Sequence, residues 1–168
     1  IFRVILVIPF VALMLNGYDL WAVAVFIIAS LTDLLDGKIA RKYNLITDFG
    51  KFMDPLADKL LVSSAMICLV SLNRIPAWVV IVIISREFII SGFRLVASDA
   101  GVVIAASWWG KIKTVVQMIM VIVLILSIHN PVVAVIEQIL IYLALVLTVV
   151  SLLDYLIKNW KVMDDGKM

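Results

Sequence analysis

Asp33-Leu34-Leu35-Asp36-Gly37-Lys38-Ile39-Ala40-Arg41, then eight residues, then Gly50-Lys51-Phe52-Met53-Asp54-Pro55-Leu56-Ala57-Asp58 is the stretch on which the fold turns. Its four aspartates stand in a chain otherwise made for lipid: 65% of its 168 residues are hydrophobic, 15% are charged, and mean hydropathy is +1.19. A carboxylate at the centre of a bilayer costs about 2.5–3.5 kcal/mol on insertion scales, so four together call for a compensating ligand. Residues three and four apart share a helix face. The spacing therefore puts Asp33 and Asp36 on one face, with Gly37 and Ala40 continuing it, and Asp54 and Asp58 on one face of the next helix, with Gly50 a turn earlier. The short Lys42–Phe49 connection makes the two helices antiparallel neighbours, so the two acid pairs can converge. Four Asp donors suit one or two Mg²⁺ or Mn²⁺ ions; zinc would favour His or Cys, which are missing nearby. The small residues let a bulky ligand approach, and Arg41 offers a cation to phosphate oxygens.

Working outward, the span count follows from length. A membrane helix needs about 20 residues, and the uncharged runs Leu20–Thr32, Leu60–Asn73 and Ala77–Ser85 are all too short. Each reaches full length only by taking in its charged neighbours, so the ionisable residues lie inside the helices. The expected fold is all-α, a bundle of six transmembrane helices over about 1–16, 20–42, 50–73, 76–98, 107–129 and 131–158, with a polar metal site at the cytoplasmic end. Breaks are expected at Asn16-Gly17, Tyr43–Phe49, Asn73-Arg74-Ile75-Pro76, Ser98–Gly101 and His129-Asn130-Pro131. The whole of 1–168 reads as one integral-membrane domain, with 159–168 a short cytoplasmic tail. The chain opens at Ile1-Phe2-Arg3, and a trimmed N-terminus is expected.

Basic residues set the orientation. Arg3, Arg41, Lys42, Lys51, Lys111, Lys113, Lys158, Lys161 and Lys167 fall on one side and Arg74 alone on the other, so the positive-inside rule places the site toward the cytoplasm. A net charge of +2 gives no reason to expect a nucleic-acid partner; membrane lipids are the expected surroundings. Cys68, the single cysteine, reads as a buried inert thiol. Asp19 and Asp48 read as solvated loop acids. Glu137 and Asp154 are open between pairing with a cation and facing a second copy in a homodimer. His129 has no assigned role.

A second constellation is basic. Arg86 and Arg94 stand eight apart, two turns along one helix face, and Trp109-Gly110-Lys111-Ile112-Lys113-Thr114 opens the next helix. Arg and Lys clusters of this kind bind phosphate. The plain alternatives are a buried Arg86–Glu87 pair and inner-face anchoring by Lys111 and Lys113, with Trp108 and Trp109 as interfacial belt residues.

The motif Asp-x-x-Asp-Gly-x-x-Ala-Arg-(eight residues)-Gly-x-x-x-Asp-x-x-x-Asp resembles that of the CDP-alcohol phosphotransferases at every position. The resemblance implies a dinuclear site in which Asp33, Asp36, Asp54 and Asp58 hold the metals and Asp58 is also the catalytic base. It implies that Gly37, Ala40, Arg41 and Gly50 border the cytidine diphosphate, and that Thr47 falls where some relatives contact the nucleotide. Relatives carry an amphipathic helix and an Asn/Thr pair ahead of the first span, a region before Ile1. Arg86-Glu87-Phe88-x-x-x-Gly92-x-Arg94 and Gly110-Lys111-x-Lys113-Thr114 resemble the subgroup that uses glycerol 3-phosphate. This implies transfer of a phosphatidyl group from CDP-diacylglycerol to sn-glycerol 3-phosphate, with Arg86, Arg94, Lys111 and Lys113 around the acceptor phosphate, in a bacterial plasma membrane. The same chemistry on inositol phosphate, serine or phosphatidylglycerol is the near alternative. A non-catalytic CDP-lipid binder would bind without releasing CMP. An ion or proton-coupled carrier would favour repeated halves or broken mid-membrane helices, and the sequence has neither.

Overall fold

The computed structural model describes residues 2–42, 48–99, 104 and 107–160; within these, the side chains of 2, 33–42, 48–58 and 98–99 lie outside the description. Six helices follow one another: α1 (Phe2–Leu15), α2 (Asp19–Lys42), α3 (Asp48–Ser71), α4 (Ala77–Asp99), α5 (Trp108–Leu126) and α6 (Pro131–Lys158). At 1.5 Å per residue, the 24, 24 and 23 residues of α2, α3 and α4 exceed the roughly 30 Å of a hydrocarbon core. The charged residues are thus within the helices, as their sequence required. Two helices of the described part are both long and apolar enough to cross a membrane, α5 with mean hydropathy 1.8 and α6 with 2.5. Only 33% and 22% of their apolar windows are buried. Ile157, Val132 and Val115 are among the large apolar side chains left facing outward. A soluble core would have hidden them, whereas lipid accepts them.

The helix ends follow from local chemistry. Gly17 takes φ 77 after α1, where Tyr18 N–H reaches back to Leu13 O at 3.0 Å. A glycine adopts that left-handed turn without steric cost. After α3 the same turn is made by Asn73 at φ 56, with Arg74 N–H bonded to Leu69 O at 2.9 Å. Asn130 caps α6 by accepting from Val132 N–H at 2.9 Å, with Pro131 in the first turn, where its missing N–H costs nothing. Two expectations need correction. Asp48 opens α3 rather than lying in a loop. Asp19 opens α2, and its carboxylate is not solvated but pairs with Arg74 at 2.8 Å, both side chains being less than a quarter exposed.

The chain forms two compact units, one of Ile1–Ile75 with Val121–Ile128 and one of Pro76–Met120 with His129–Met168. In the first, α1 packs on both α2 and α3, and α2 also touches α3. Phe10, Met14, Phe26, Leu61, Met66 and Leu69 are fully or almost fully buried there, the Phe10 and Phe26 rings 5.8 Å apart. Cys68 is buried among them as a free thiol, as expected. Arg74 ties this unit together: besides Asp19 it donates to the carbonyls of Leu124 (3.3 Å) and Ile125 (2.9 Å) near the end of α5. Arg74→Ala removes all three bonds and strands the Asp19 carboxylate, whose Oδ1 is already buried without a partner. The expected loss is about 2–4 kcal/mol. Thermal unfolding in detergent should show the fall, with the KM values of the folded fraction unchanged. In the second unit α4 packs on α6, where Ala144, Thr148 and Ser151 are buried and small enough to admit the neighbouring helix.

Candidate active site

The acidic motif lies on the first unit. The backbone is helical through Asp33, Asp36, Gly37, Ala40 and Arg41 on α2 and through Gly50, Asp54 and Asp58 on α3. Each acid pair is therefore about one turn apart, on two helices in contact. Thr47 falls outside the described residues, as do all the side chains of this motif. The donor set of the stretch is carboxylate throughout, which fits a hard, oxygen-seeking Mg²⁺ or Mn²⁺ ion. Among the described residues no three His, Cys, Asp or Glu side chains gather into a rival metal site. Arg3 on α1 is buried in this unit and stands about as far from the α1–α2 turn as Asp33 does on the other side of it.

A basic cluster lies on the second unit, where the middle of α4 meets the start of α5 and the end of α6. Arg86 is 8% exposed; its Nε donates to Ser151 Oγ at 3.1 Å and its guanidinium pairs with Glu87 Oε1 at 3.2 Å. Lys113, fully buried, donates its ammonium to the same Glu87 oxygen. One carboxylate thus holds two cations, fixing their positions before any ligand arrives. Ser151 Oγ in turn donates to Thr148 O at 3.0 Å. Gly110 gives the guanidinium its room: a Cβ there would stand 3.3 Å from the Arg86 terminal nitrogen. Ser107 Oγ accepts from Gly110 N–H at 3.2 Å, capping the first turn of α5.

Arg94 behaves differently. It forms no ion pair among the described residues, lies 5.8 Å from the Tyr155 ring centroid, and has a buried Nε without a hydrogen-bond partner. Lys111 is exposed and outside the Glu87 network. Of the four basic residues expected around an acceptor phosphate, Arg86 and Lys113 are therefore brought together through Glu87, while Arg94 and Lys111 are not part of that set. Lys113 is no surface anchor, since an anchoring ammonium would reach water and this one is buried. Asp154 pairs with Lys158 at 2.7 Å, resolving the choice left open for it. Trp108 and Trp109 are exposed, and so is His129. Sequence reasoning missed Ser151, the hydroxyl that holds Arg86, which looks like an ordinary position of an apolar helix.

A family model described as CDP-alcohol phosphatidyltransferase matches residues 1–150. A Bacillus subtilis (strain 168) protein named CDP-diacylglycerol--glycerol-3-phosphate 3-phosphatidyltransferase is 53% identical over 140 residues, covering 81% of this chain and 72% of that one. A Haemophilus influenzae protein of the same name is 40% identical over 164 residues, 93% of this chain and 88% of its own. A Mycobacterium tuberculosis (strain ATCC 25618 / H37Rv) protein named probable phosphatidylglycerophosphate synthase is 41% identical over 132 residues, 79% of this chain and 62% of its own. With the motif intact on α2 and α3 and the family model covering most of the sequence, the chain belongs to the CDP-alcohol phosphatidyltransferase family.

Proposed function

We propose that this protein transfers the phosphatidyl group of CDP-diacylglycerol to sn-glycerol 3-phosphate, giving phosphatidylglycerophosphate and CMP. One observation carries the reading: the complete four-aspartate motif, on two neighbouring helices, in a chain 53% identical over 140 residues to a protein named for that reaction. In this reading Asp33, Asp36, Asp54 and Asp58 hold two Mg²⁺ or Mn²⁺ ions, which when bound supply positive charge against the diphosphate and the departing CMP. Gly37, Ala40 and Gly50 leave room for the nucleotide, Arg41 addresses its phosphate oxygens, and Thr47 falls at a position from which the nucleotide is contacted. Asp58 accepts the proton of the acceptor hydroxyl as that oxygen bonds to the β-phosphorus, on the lipid side of the diphosphate. The bond from that phosphorus to the bridging oxygen breaks, and CMP leaves with the electron pair. Arg86, Arg94, Lys111 and Lys113 hold the acceptor phosphate.

The protein is an integral membrane protein, and we assign it six spans in a bacterial plasma membrane with the site toward the cytoplasm. What supports this is the length of the helices and the bias of basic residues to one side.

The acceptor assignment is tested at Arg94. Losing a charge-assisted hydrogen bond costs about 1.5–3 kcal/mol, or roughly 10–100-fold. Arg94→Ala is expected to raise the KM for glycerol 3-phosphate by that factor and to leave the KM for CDP-diacylglycerol nearly unchanged. Equal losses for both substrates would mark Arg94 as structural. Serine or inositol phosphate serving as well as glycerol 3-phosphate would overturn the acceptor assignment.

A further inference from the structure

Arg3 stands where an inner-face anchor is expected, yet it is buried, only 7% exposed. An anchoring cation keeps its charged head in water, as Lys158 does with 62% of its side chain exposed. A buried guanidinium instead needs negative groups around it, because a lone charge in a low-dielectric interior is very costly. The packing register shows where they come from. Residues seven and eleven apart return to within about 20° of one helix face. On α1, Phe10 and Met14 stand seven and eleven residues beyond Arg3, and both are fully buried. On α2, Phe26 and Ala22 are fully buried too, and Asp33 stands seven and eleven residues beyond them.

The Phe10 and Phe26 rings, 5.8 Å apart, fix how the two helices run past each other. They run antiparallel across the Gly17 turn, so a step back along α1 matches a step forward along α2. Two turns from the ring contact, that step brings Arg3 level with Asp33. The third helix of the unit, α3, packs on α1 as well. It buries Leu61 and Ala65, and Asp58 precedes them by three and seven residues, on the same helix face. Without a metal, the four aspartates repel one another across two helices in contact. A guanidinium reaching in from a third helix relieves that repulsion, since it stays charged at any pH and its five N–H donors can serve more than one carboxylate.

We infer that Arg3 is the fixed countercharge of the four-aspartate motif, a positioning residue that from α1 draws the acids of α2 and α3 together while no metal is bound. It does not touch the reacting atoms; it sets the spacing of the side chains that hold the ions. The metal part of this rests on the reading of the acids given above, whereas the charge coupling between Arg3 and those acids does not.

Unfolding temperature of the full chain in detergent tests it, with Arg3→Met, which keeps an apolar stem, and Arg3→Lys, which keeps the charge. In chelator Arg3→Met should melt about 5 °C or more below the parent, and Arg3→Lys should recover about half of that or more. Saturating Mn²⁺ should shrink the Arg3→Met deficit to about half or less, because the ion then supplies the missing charge. Adding Asp33→Asn in chelator should raise the melting temperature of Arg3→Met clearly more than that of the parent. An equal effect of Asp33→Asn in both backgrounds would overturn the proposal. So would a deficit that Mn²⁺ leaves unchanged while it stabilises the parent. If Arg3→Met alone does not fold, the double variant with Asp33→Asn must fold, and failure of both would overturn the proposal too. Should Mn²⁺ stabilise neither protein while Asp33→Asn still rescues Arg3→Met, the metal reading fails and the countercharge stands.

Discussion

Asp33→Asn and Asp54→Asn will each leave a protein that inserts and folds but has lost nearly all CMP release. Asparagine keeps the size of the side chain and removes its charge, so the helices α2 and α3 have no steric reason to change. A divalent ion held by carboxylates loses both Coulomb attraction and a ligand oxygen of the right hardness. The diphosphate of the substrate then faces the remaining acids with too little countercharge. Losing an electrostatic stabiliser of developing charge costs on the order of 10²–10³ in rate, and these positions should reach at least that. Thermal stability without metal should hold or rise, since like charges on neighbouring helices are relieved. The check is CMP release across an Mg²⁺ or Mn²⁺ titration, beside unfolding in the same detergent. Full activity of either variant in chelator-treated buffer would refute the metal-site reading.

Asp58→Asn separates a base from a ligand. Asp58 stands one turn beyond Asp54 on α3, so it can border the metals and still reach an incoming hydroxyl. A group whose main work is to accept a proton matters little to substrate binding. The variant should bind CDP-diacylglycerol with Mg²⁺ at near-normal affinity and lose on the order of 10²–10⁴ in rate, the range for general-base catalysis. Binding that collapses together with turnover would make Asp58 chiefly a ligand and send the search for the base elsewhere. An unchanged rate would remove it from the chemistry.

The parts of this protein that were legible in its sequence are those written within a few residues of one another. Helix ends at Gly17, Asn73 and Asn130-Pro131 were readable because each residue type has a local reason to sit there: a left-handed turn for the first two, a side-chain cap and a proline in the first turn for the last. The end of α5 was not. It falls at Leu126, three residues before the expected stop, where Ser127 takes φ 46, a conformation that a serine does not announce. The helices that carry the two acid pairs, α2 and α3, were legible for the same kind of local reason, since their apolar runs reach full length only through those acids. The basic cluster was only partly so. Arg86 to Ser151 spans 65 positions, Lys113 to Glu87 spans 26 and Arg74 to Asp19 spans 55. No short-range pattern encodes such pairs. Asp19 looked solvated because its partner comes from two helices away.

The most direct measurement is CMP release from CDP-diacylglycerol by the purified protein, with glycerol 3-phosphate, serine, inositol phosphate or phosphatidylglycerol as acceptor, each with Mg²⁺ or Mn²⁺ and again after chelation. Rapid CMP release and formation of phosphatidylglycerophosphate are expected only where glycerol 3-phosphate and a divalent ion are both present. Release that persists after chelation, or that is as fast with another acceptor, would contradict a metal-dependent transfer to glycerol 3-phosphate.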